Sequence, residues 1–334
     1  MTAPIAHGGA IAAAAARYGG DPADWLDLST GVNPCPPDLP SIEPNAWHRL
    51  PDRSLVERAS GAARDFYRSG AIPPLAVPGT QAAIQLLPRF VAPGKRAAVV
   101  WPTYGEYERA LTAAGRDVDR LNRPEEADER HGLVVVVNPN NPDGRSYSPD
   151  ALEALADRMR ADGGLLVVDE AFGDADGGAS LVPVVGRHGN LVVFRSFGKF
   201  FGMAGIRLGF VVTAPERAAR MQDWLGPWAV SGPALAVATG LMRGDTRAIR
   251  ERIAERHGGL RAVLDGAGMT VAGGTPLFAL VEHPRAGALY EHLCRRHILT
   301  RPFDYAPDWL RLGLAPDAAG DARLAEALAT FRGA

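Results

Sequence analysis

One lysine, Lys199, stands in the segment Ser196-Phe197-Gly198-Lys199-Phe200-Phe201-Gly202-Met203-Ala204-Gly205-Ile206-Arg207-Leu208-Gly209, three positions after a hydroxyl and eight before a guanidinium. The small residues around it let the backbone approach a ligand closely. An amine held this way suits Schiff-base chemistry with an aldehyde cofactor that carries a phosphate. Ser196 and Arg207 are then the candidate phosphate ligands. A Gly-rich loop with one solvated lysine has the same local sequence, so the argument turns on two further segments.

The run Leu165-Leu166-Val167-Val168-Asp169-Glu170-Ala171-Phe172 is apolar up to two carboxylates and reads as a buried strand with an acidic end. In an open α/β sheet, ligands sit beyond the carboxyl ends of the strands, which puts Asp169 where chemistry is expected. A carboxylate there can keep a pyridine nitrogen protonated, the condition under which pyridoxal 5'-phosphate (PLP) acts as an electron sink. From this segment alone, a helix cap, a metal ligand or a solvated edge would read alike. The stretch Val134-Val135-Val136-Val137-Asn138-Pro139-Asn140-Asn141-Pro142-Asp143-Gly144 makes a second buried strand, closed by an Asn/Pro/Gly turn. Its amides supply donors and acceptors at that strand's end.

In this order the segments resemble the fold-type I PLP enzymes of the aminotransferase class. The resemblance implies an α/β fold, with a large domain whose mostly parallel sheet is flanked by helices and a smaller α+β domain. It implies roles as well: Lys199 for the Schiff base, Asp169 facing the pyridinium, Asn141 on the cofactor's 3-oxygen, and Ser196 and Arg207 on its phosphate. Pro78-Gly79-Thr80-Gln81 opens an alanine-rich helix, and unpaired N–H groups at a helix start suit a phosphate. Thr80 and Gln81 are therefore expected as a second phosphate contact. Trp101-Pro102-Thr103-Tyr104-Gly105-Glu106-Tyr107 matches the family segment whose ring stacks on the pyridine, so Tyr104 takes that role. Arg311, inside the apolar run Trp309-Leu310-Arg311-Leu312-Gly313-Leu314, fits the arginine that binds the substrate α-carboxylate. A guanidinium in such a run is costly unless paired, and a bidentate carboxylate is a natural partner, as is a structural salt bridge.

The composition agrees with a water-soluble enzyme. The 334 residues are 46% hydrophobic and 22% charged, with a formal net charge of −2. No long Lys/Arg run is present, which argues against nucleic acid as a partner. Two cysteines, Cys35 and Cys294, make neither a disulfide framework nor a metal-ligand set, so no metal is expected. No apolar stretch approaches the roughly 20 residues that span a bilayer. The start, Met1 to Ala10, lacks a basic leader region, and Ala12 to Ala16 followed by Gly19-Gly20 reads as a short helix with a glycine stop. A cytoplasmic location is expected.

From about Pro51 to Val212, strand-like and helix-like patterns alternate, as in a domain built on a parallel sheet. Helices are predicted over Ala234 to Ala267, with Arg247, Arg250, Glu251, Arg252 and Glu255 on a solvated face. Further helices are predicted at Gly287 to Arg296 and Asp321 to Phe331. Short strands are predicted at Met269 to Ala272, Leu277 to Val281 and Leu310 to Leu314. Resemblance divides the chain into a large PLP domain at 49–234 and a discontinuous smaller one at 1–48 plus 235–334.

The PLP residues are shared among transaminases, decarboxylases, aldolases and racemases, so the reaction must be read elsewhere. Position 172 is Phe, where aminotransferases of this group commonly have a Tyr that donates to the 3-oxygen. The elements His7-Gly8-Gly9, Leu26-Asp27-Leu28-Ser29-Thr30-Gly31-Val32-Asn33-Pro34 and Gly226-Pro227-Trp228-Ala229-Val230-Ser231 resemble those of the threonine-phosphate decarboxylases of cobalamin biosynthesis. That resemblance implies decarboxylation of L-threonine O-3-phosphate to (R)-1-amino-2-propanol O-phosphate. It also implies His7 as a ligand of the substrate phosphate, Arg145 as a second candidate, and Gly31 with Ser29 and Thr30 lining the pocket. The alternatives are a histidinol-phosphate aminotransferase and a catalytically silent binding protein of the same fold. The family also implies a homodimer, with Tyr18, Trp47, His48 and Arg49 as candidates for reaching the partner's cofactor phosphate.

Overall fold

Valine-rich apolar runs form the central strands of a set of seven: β1 (Leu75–Val77), β2 (Arg96–Val100), β3 (Val118–Leu121), β4 (His131–Val137), β5 (Leu165–Asp169), β6 (Leu191–Ser196) and β7 (Gly209–Thr213). The structure is a computed structural model that describes residues 7–331. The strands form one sheet in the order β1-β7-β6-β5-β4-β2-β3. β2 to β6 run parallel, and β7 is antiparallel to both its neighbours. Every residue of β4, β5, β6 and β7 is buried, as expected of strands enclosed on both faces. The connecting helices show the matching periodicity. In Pro149–Ala161, Ser148 caps the first turn by accepting from Ala151 N–H, and Leu152, Leu155, Ala156 and Met159 form the buried stripe.

Two compact units emerge, one of Pro37–Asn141 and Ser146–Arg247, the other of 7–36, Pro142–Arg145 and 248–331. Helix Gly232–Arg243 packs on helices Arg53–Tyr67 and Asn45–His48, which draws these segments into the first unit. The division expected at 49 and 234 falls inside that unit.

The second unit holds an antiparallel sheet of β8 (Thr270–Thr275), β9 (Phe278–Glu282), β10 (Arg301–Phe303) and β11 (Ala306–Gly313), in the order β10-β11-β9-β8. Its helices are Arg247–Gly266, Ala286–Cys294 and Ala318–Ala329, close to the predicted ones. β10 was not predicted, because three residues around a proline carry no alternating pattern. Leu26–Asp27 pairs in parallel with Ile298–Leu299, joining the early chain to this unit. Helix Ile11–Tyr18 stops at Gly19, whose φ of 86° favours glycine. The start of the expected leader-free segment, residues 1–6, lies outside the described residues. Among the described residues, no helix is long and apolar enough to cross a membrane.

Candidate active site

The register of the large sheet lines up the strand ends. Val77 lies opposite Gly209, and Gly209 opposite Ser196; Phe194 lies opposite Asp169, and Asp169 opposite Val137. β1 and β2 to β6 all leave the sheet at one edge, where β7 enters. Thr80, Tyr104, Asn141, Asp169, Ser196, Lys199 and Arg207 therefore belong to segments meeting that edge.

Two glycines control how closely these segments approach. Gly79 has φ 72° and ψ 152°, and a methyl group on it would sit 2.7 Å from Nη2 of Arg207. A methyl on Gly209 would come within 2.9 Å of the Thr80 backbone nitrogen. Arg207 itself is left-handed, at φ 54° and ψ 61°, and its Nη1 donates to the Ala204 carbonyl at 3.0 Å. Ser196 precedes the short helix Phe197–Phe200 without spending its side chain on the cap. That helix carries Lys199, whose Nζ lies 5.6 Å from the centre of the Phe172 ring. The only other lysine in the sequence, Lys95, donates to the Glu129 carbonyl.

Asp169 is buried at the end of β5. Its Oδ2 accepts from the Tyr107 hydroxyl at 2.7 Å and its Oδ1 from Ala171 N–H at 2.9 Å. Burial nevertheless raises its pKa above the ordinary carboxylate value, outweighing those two hydrogen bonds and the nearby Lys199 charge. The three asparagines of the β4 turn divide their work. Asn138 exchanges hydrogen bonds with the Tyr147 backbone, and Asn140 accepts from Thr103 at 2.7 Å and donates to the Pro102 carbonyl at 2.8 Å. These two shape the turn that presents Asn141.

Tyr104 donates to Oε1 of Gln81 at 3.2 Å, while Nε2 of Gln81 donates to the buried Glu106 at 3.0 Å. The Gln81 side chain thus positions Tyr104, leaving its backbone N–H as the group that suits a phosphate. Sequence reading missed this link and missed Tyr107 as the partner of Asp169; a separation of 62 positions along the chain hides the contact. It also missed a buried ion cluster behind the strand ends, in which Arg195 bonds both Glu170 and Asp174. Burial opposes the Arg195 charge, but the two carboxylates outweigh it and its pKa rises. The signal was in the sequence: Glu170 and Arg195 each directly adjoin a residue already singled out, Asp169 and Ser196.

The remaining candidates belong to the second unit, where Ser29 is the hub. Its hydroxyl accepts from Gly9 N–H at 2.7 Å, and its carbonyl accepts from Nη2 of Arg311 at 2.8 Å. Gly8 packs so tightly that a methyl group would meet the Ser29 carbonyl oxygen at 2.4 Å. The segment carrying His7, the turn leading to Gly31, and Arg311 are thereby brought together, with His7 itself exposed. Arg311 is buried over the Phe278 ring, and burial, reinforced by Arg301, lowers its pKa to about 10. Arg301 lies directly opposite Arg311 across β10 and β11. Like charges opposite each other are unfavourable, and a bound anion would relieve them. Sequence reading missed Arg301 along with its strand. Arg145 sits on a turn in which Asp143 Oδ1 accepts Arg145 N–H at 3.0 Å and the Asp143 carbonyl accepts Gly274 N–H at 3.1 Å.

Comparison with known proteins adds independent findings. Residues 43–328 match the family model described as aminotransferase class I and II. The chain is 61% identical over 329 residues to a threonine-phosphate decarboxylase of Sinorhizobium sp, covering 98% of this chain and 99% of the relative. It is 43% identical over 332 residues to a threonine-phosphate decarboxylase of Pseudomonas aeruginosa, covering 98% of each. Among solved structures, its fold matches that of a histidinol-phosphate aminotransferase from Sinorhizobium meliloti in complex with pyridoxal-5'-phosphate. The TM-score is 0.79 at 18% identity, over 99% of this chain and 96% of that one.

Proposed function

The chain belongs to the class I and II aminotransferase family, and from that premise we propose that it is a PLP-dependent decarboxylase. Its substrate is L-threonine O-3-phosphate, and its products are CO₂ and (R)-1-amino-2-propanol O-phosphate. The observation that carries this reading is the 61% identity, extending over 98% of the chain, to a threonine-phosphate decarboxylase.

The residues fit the cofactor. Arg207 packs so closely on Gly79 that a methyl there would lie 2.7 Å from its Nη2, which holds the guanidinium beside the start of the helix that opens with Thr80, a setting that suits a phosphate. The buried Asp169 carboxylate, raised in pKa by burial, gains from a cationic partner. When bound, PLP supplies an electron sink for the pair left on Cα as a bond to it breaks.

The roles then follow from the side chains. Thr80, Ser196 and Arg207 hold the cofactor phosphate with the Gln81 N–H, Asn141 donates to the 3-oxygen, and Tyr104 lies against the ring. Asp169 keeps the ring nitrogen protonated. Lys199 would anchor the cofactor through its amine and, when free, would return a proton to the substrate Cα after CO₂ is lost. Arg311 grips the α-carboxylate. His7, Arg145 and Arg301 hold the substrate phosphate, and Gly31 with Ser29 and Thr30 lines the pocket through backbone groups. Two anchored ends would fix rotation about the substrate's Cα–N bond, and that orientation would select which bond at Cα breaks. Arg311 also stabilises the ground state, so orientation rather than charge must favour loss of the carboxylate.

The test offers the purified protein threonine phosphate in one vessel and histidinol phosphate with a keto acid in another. CO₂ from the first and no amino-acid product from the second is the expected outcome. Transamination of histidinol phosphate without CO₂ from threonine phosphate would make the protein an aminotransferase, and inertness in both vessels would favour a silent binding protein.

The protein is also a homodimer in this reading. Leu39, Trp47 and Leu50 are 63%, 63% and 65% exposed within the first unit, three large apolar side chains that association would cover. Tyr18 is committed to its own chain, donating to Glu291 at 2.7 Å, which leaves Trp47, His48 and Arg49 as the better candidates for reaching a partner's cofactor. Sedimentation should give a dimer at assay concentrations, and a fully active monomer would exclude the arrangement.

A further inference from the structure

Tyr107 is wholly buried in the core of the large sheet, yet it keeps a hydroxyl, which donates to Oδ2 of Asp169 at 2.7 Å. A buried ring needed only for packing would be satisfied by Phe; the hydroxyl is tolerated because it has a partner. The same ring meets Tyr104 edge-on, with centroids 6.3 Å apart, and Tyr107 N–H donates to the Tyr104 carbonyl at 3.3 Å. One residue therefore touches both the carboxylate assigned to the ring nitrogen and the ring assigned to stack on the cofactor. Burial, with the Asp169 charge adding to it, holds the phenol well above its ordinary pKa, so it remains a donor at any working pH.

Resting on the PLP reading above, we propose that Tyr107 is a positioning residue that keeps the proton on the cofactor's ring nitrogen by taking up part of the Asp169 negative charge. A donor bonded to a carboxylate favours its ionised form. With the phenol in place, Asp169 is the weaker base of the pair, and the proton it shares with the ring nitrogen stays on nitrogen. Without the phenol, Asp169 has only the Ala171 N–H, its basicity rises in a low-dielectric site, and the proton moves onto the carboxylate. The hydrogen bond also fixes the plane of the carboxylate, which a packing contact would not do.

The test is ¹⁵N NMR of the protein loaded with PLP labelled at the ring nitrogen, in the parent, Tyr107→Phe and Asp169→Asn. The parent should show a pyridinium resonance that does not move with pH while the protein stays folded. Tyr107→Phe, with its cofactor retained, should shift toward the neutral-pyridine resonance and titrate; Asp169→Asn should sit at the neutral position throughout. Replacing Tyr107 by 2,3-difluorotyrosine, a stronger donor of the same shape, should hold the pyridinium resonance, and it decides the matter if the Phe variant fails to fold. A pyridinium resonance unchanged in Tyr107→Phe, or lost in the difluorotyrosine protein, overturns the role of Tyr107 alone. A parent that takes up no PLP overturns the cofactor reading and this inference with it.

Discussion

Lys199→Ala is expected to abolish turnover, with a loss of at least about 10⁴-fold, because in the proposed reading the amine serves twice, as the cofactor's covalent anchor and as the acid that protonates Cα. The chain offers no ready substitute. Its only other lysine, Lys95, belongs to the segment entering β2 at the end opposite the site and is engaged with the Glu129 carbonyl. Borohydride reduction followed by peptide mapping should therefore label the Lys199 peptide in the parent and no lysine in the variant. The proposed phosphate ligands Thr80, Ser196 and Arg207 are untouched, so the variant should still bind PLP non-covalently. A pyridoxyl group on Lys95 in the parent, or activity surviving in Lys199→Ala, would contradict the assignment.

Asp169→Asn separates catalysis from stability. An amide cannot hold a ring nitrogen as an ion pair, so kcat should fall by about 10²–10³-fold, the scale for deleting one preorganised electrostatic group. The ligand-free protein should respond in the opposite sense. Burial raises the Asp169 pKa above its unfolded value. Between the two values the native state holds a proton that the unfolded chain has released, so this group's contribution to stability is full below the unfolded pKa and is lost as pH rises through the folded one. Asn has no proton to lose. Denaturant unfolding should show a stability that declines with rising pH in the ligand-free parent more steeply than in the variant, and the variant should be the more stable at neutral pH. An Asp169→Asn protein that keeps activity within tenfold of the parent, or that lacks the difference in pH slope, would count against this account.

What could be read from sequence followed from local grammar. Lys199, Asp169, Asn141 and Arg207 each lie within a few residues of a strand end; a Gly-rich loop marked Lys199 and Arg207, an apolar run ending in carboxylates marked Asp169, and the family resemblance singled out Asn141. The same grammar could not say which asparagine of the β4 turn faces a ligand, because Asn138 and Asn140 are of the same type and are held by backbone and hydroxyl partners that only folding supplies. Contacts distant in sequence were invisible for the same reason. Tyr107 reaches Asp169 and Gln81 reaches Tyr104 only once the sheet has formed, and Arg301 meets Arg311 only through the register of a three-residue strand interrupted by proline. The N-terminal resemblance pointed to Ser29 and its neighbours as pocket residues, and the fold adds that Ser29 itself joins the His7 segment to Arg311.

The most direct measurement follows the atoms. L-threonine O-3-phosphate carrying ¹³C in its carboxylate is incubated with the PLP-loaded protein in D₂O, and gas and amine are analysed by mass spectrometry. The account predicts ¹³CO₂ and 1-amino-2-propanol O-phosphate in equal amounts, with one solvent deuterium on the former Cα, where Lys199 delivers it. Retention of the ¹³C in an organic acid, or deuterium exchange at Cα without release of ¹³CO₂, would show that the protein breaks a different bond and would contradict the assignment as a decarboxylase.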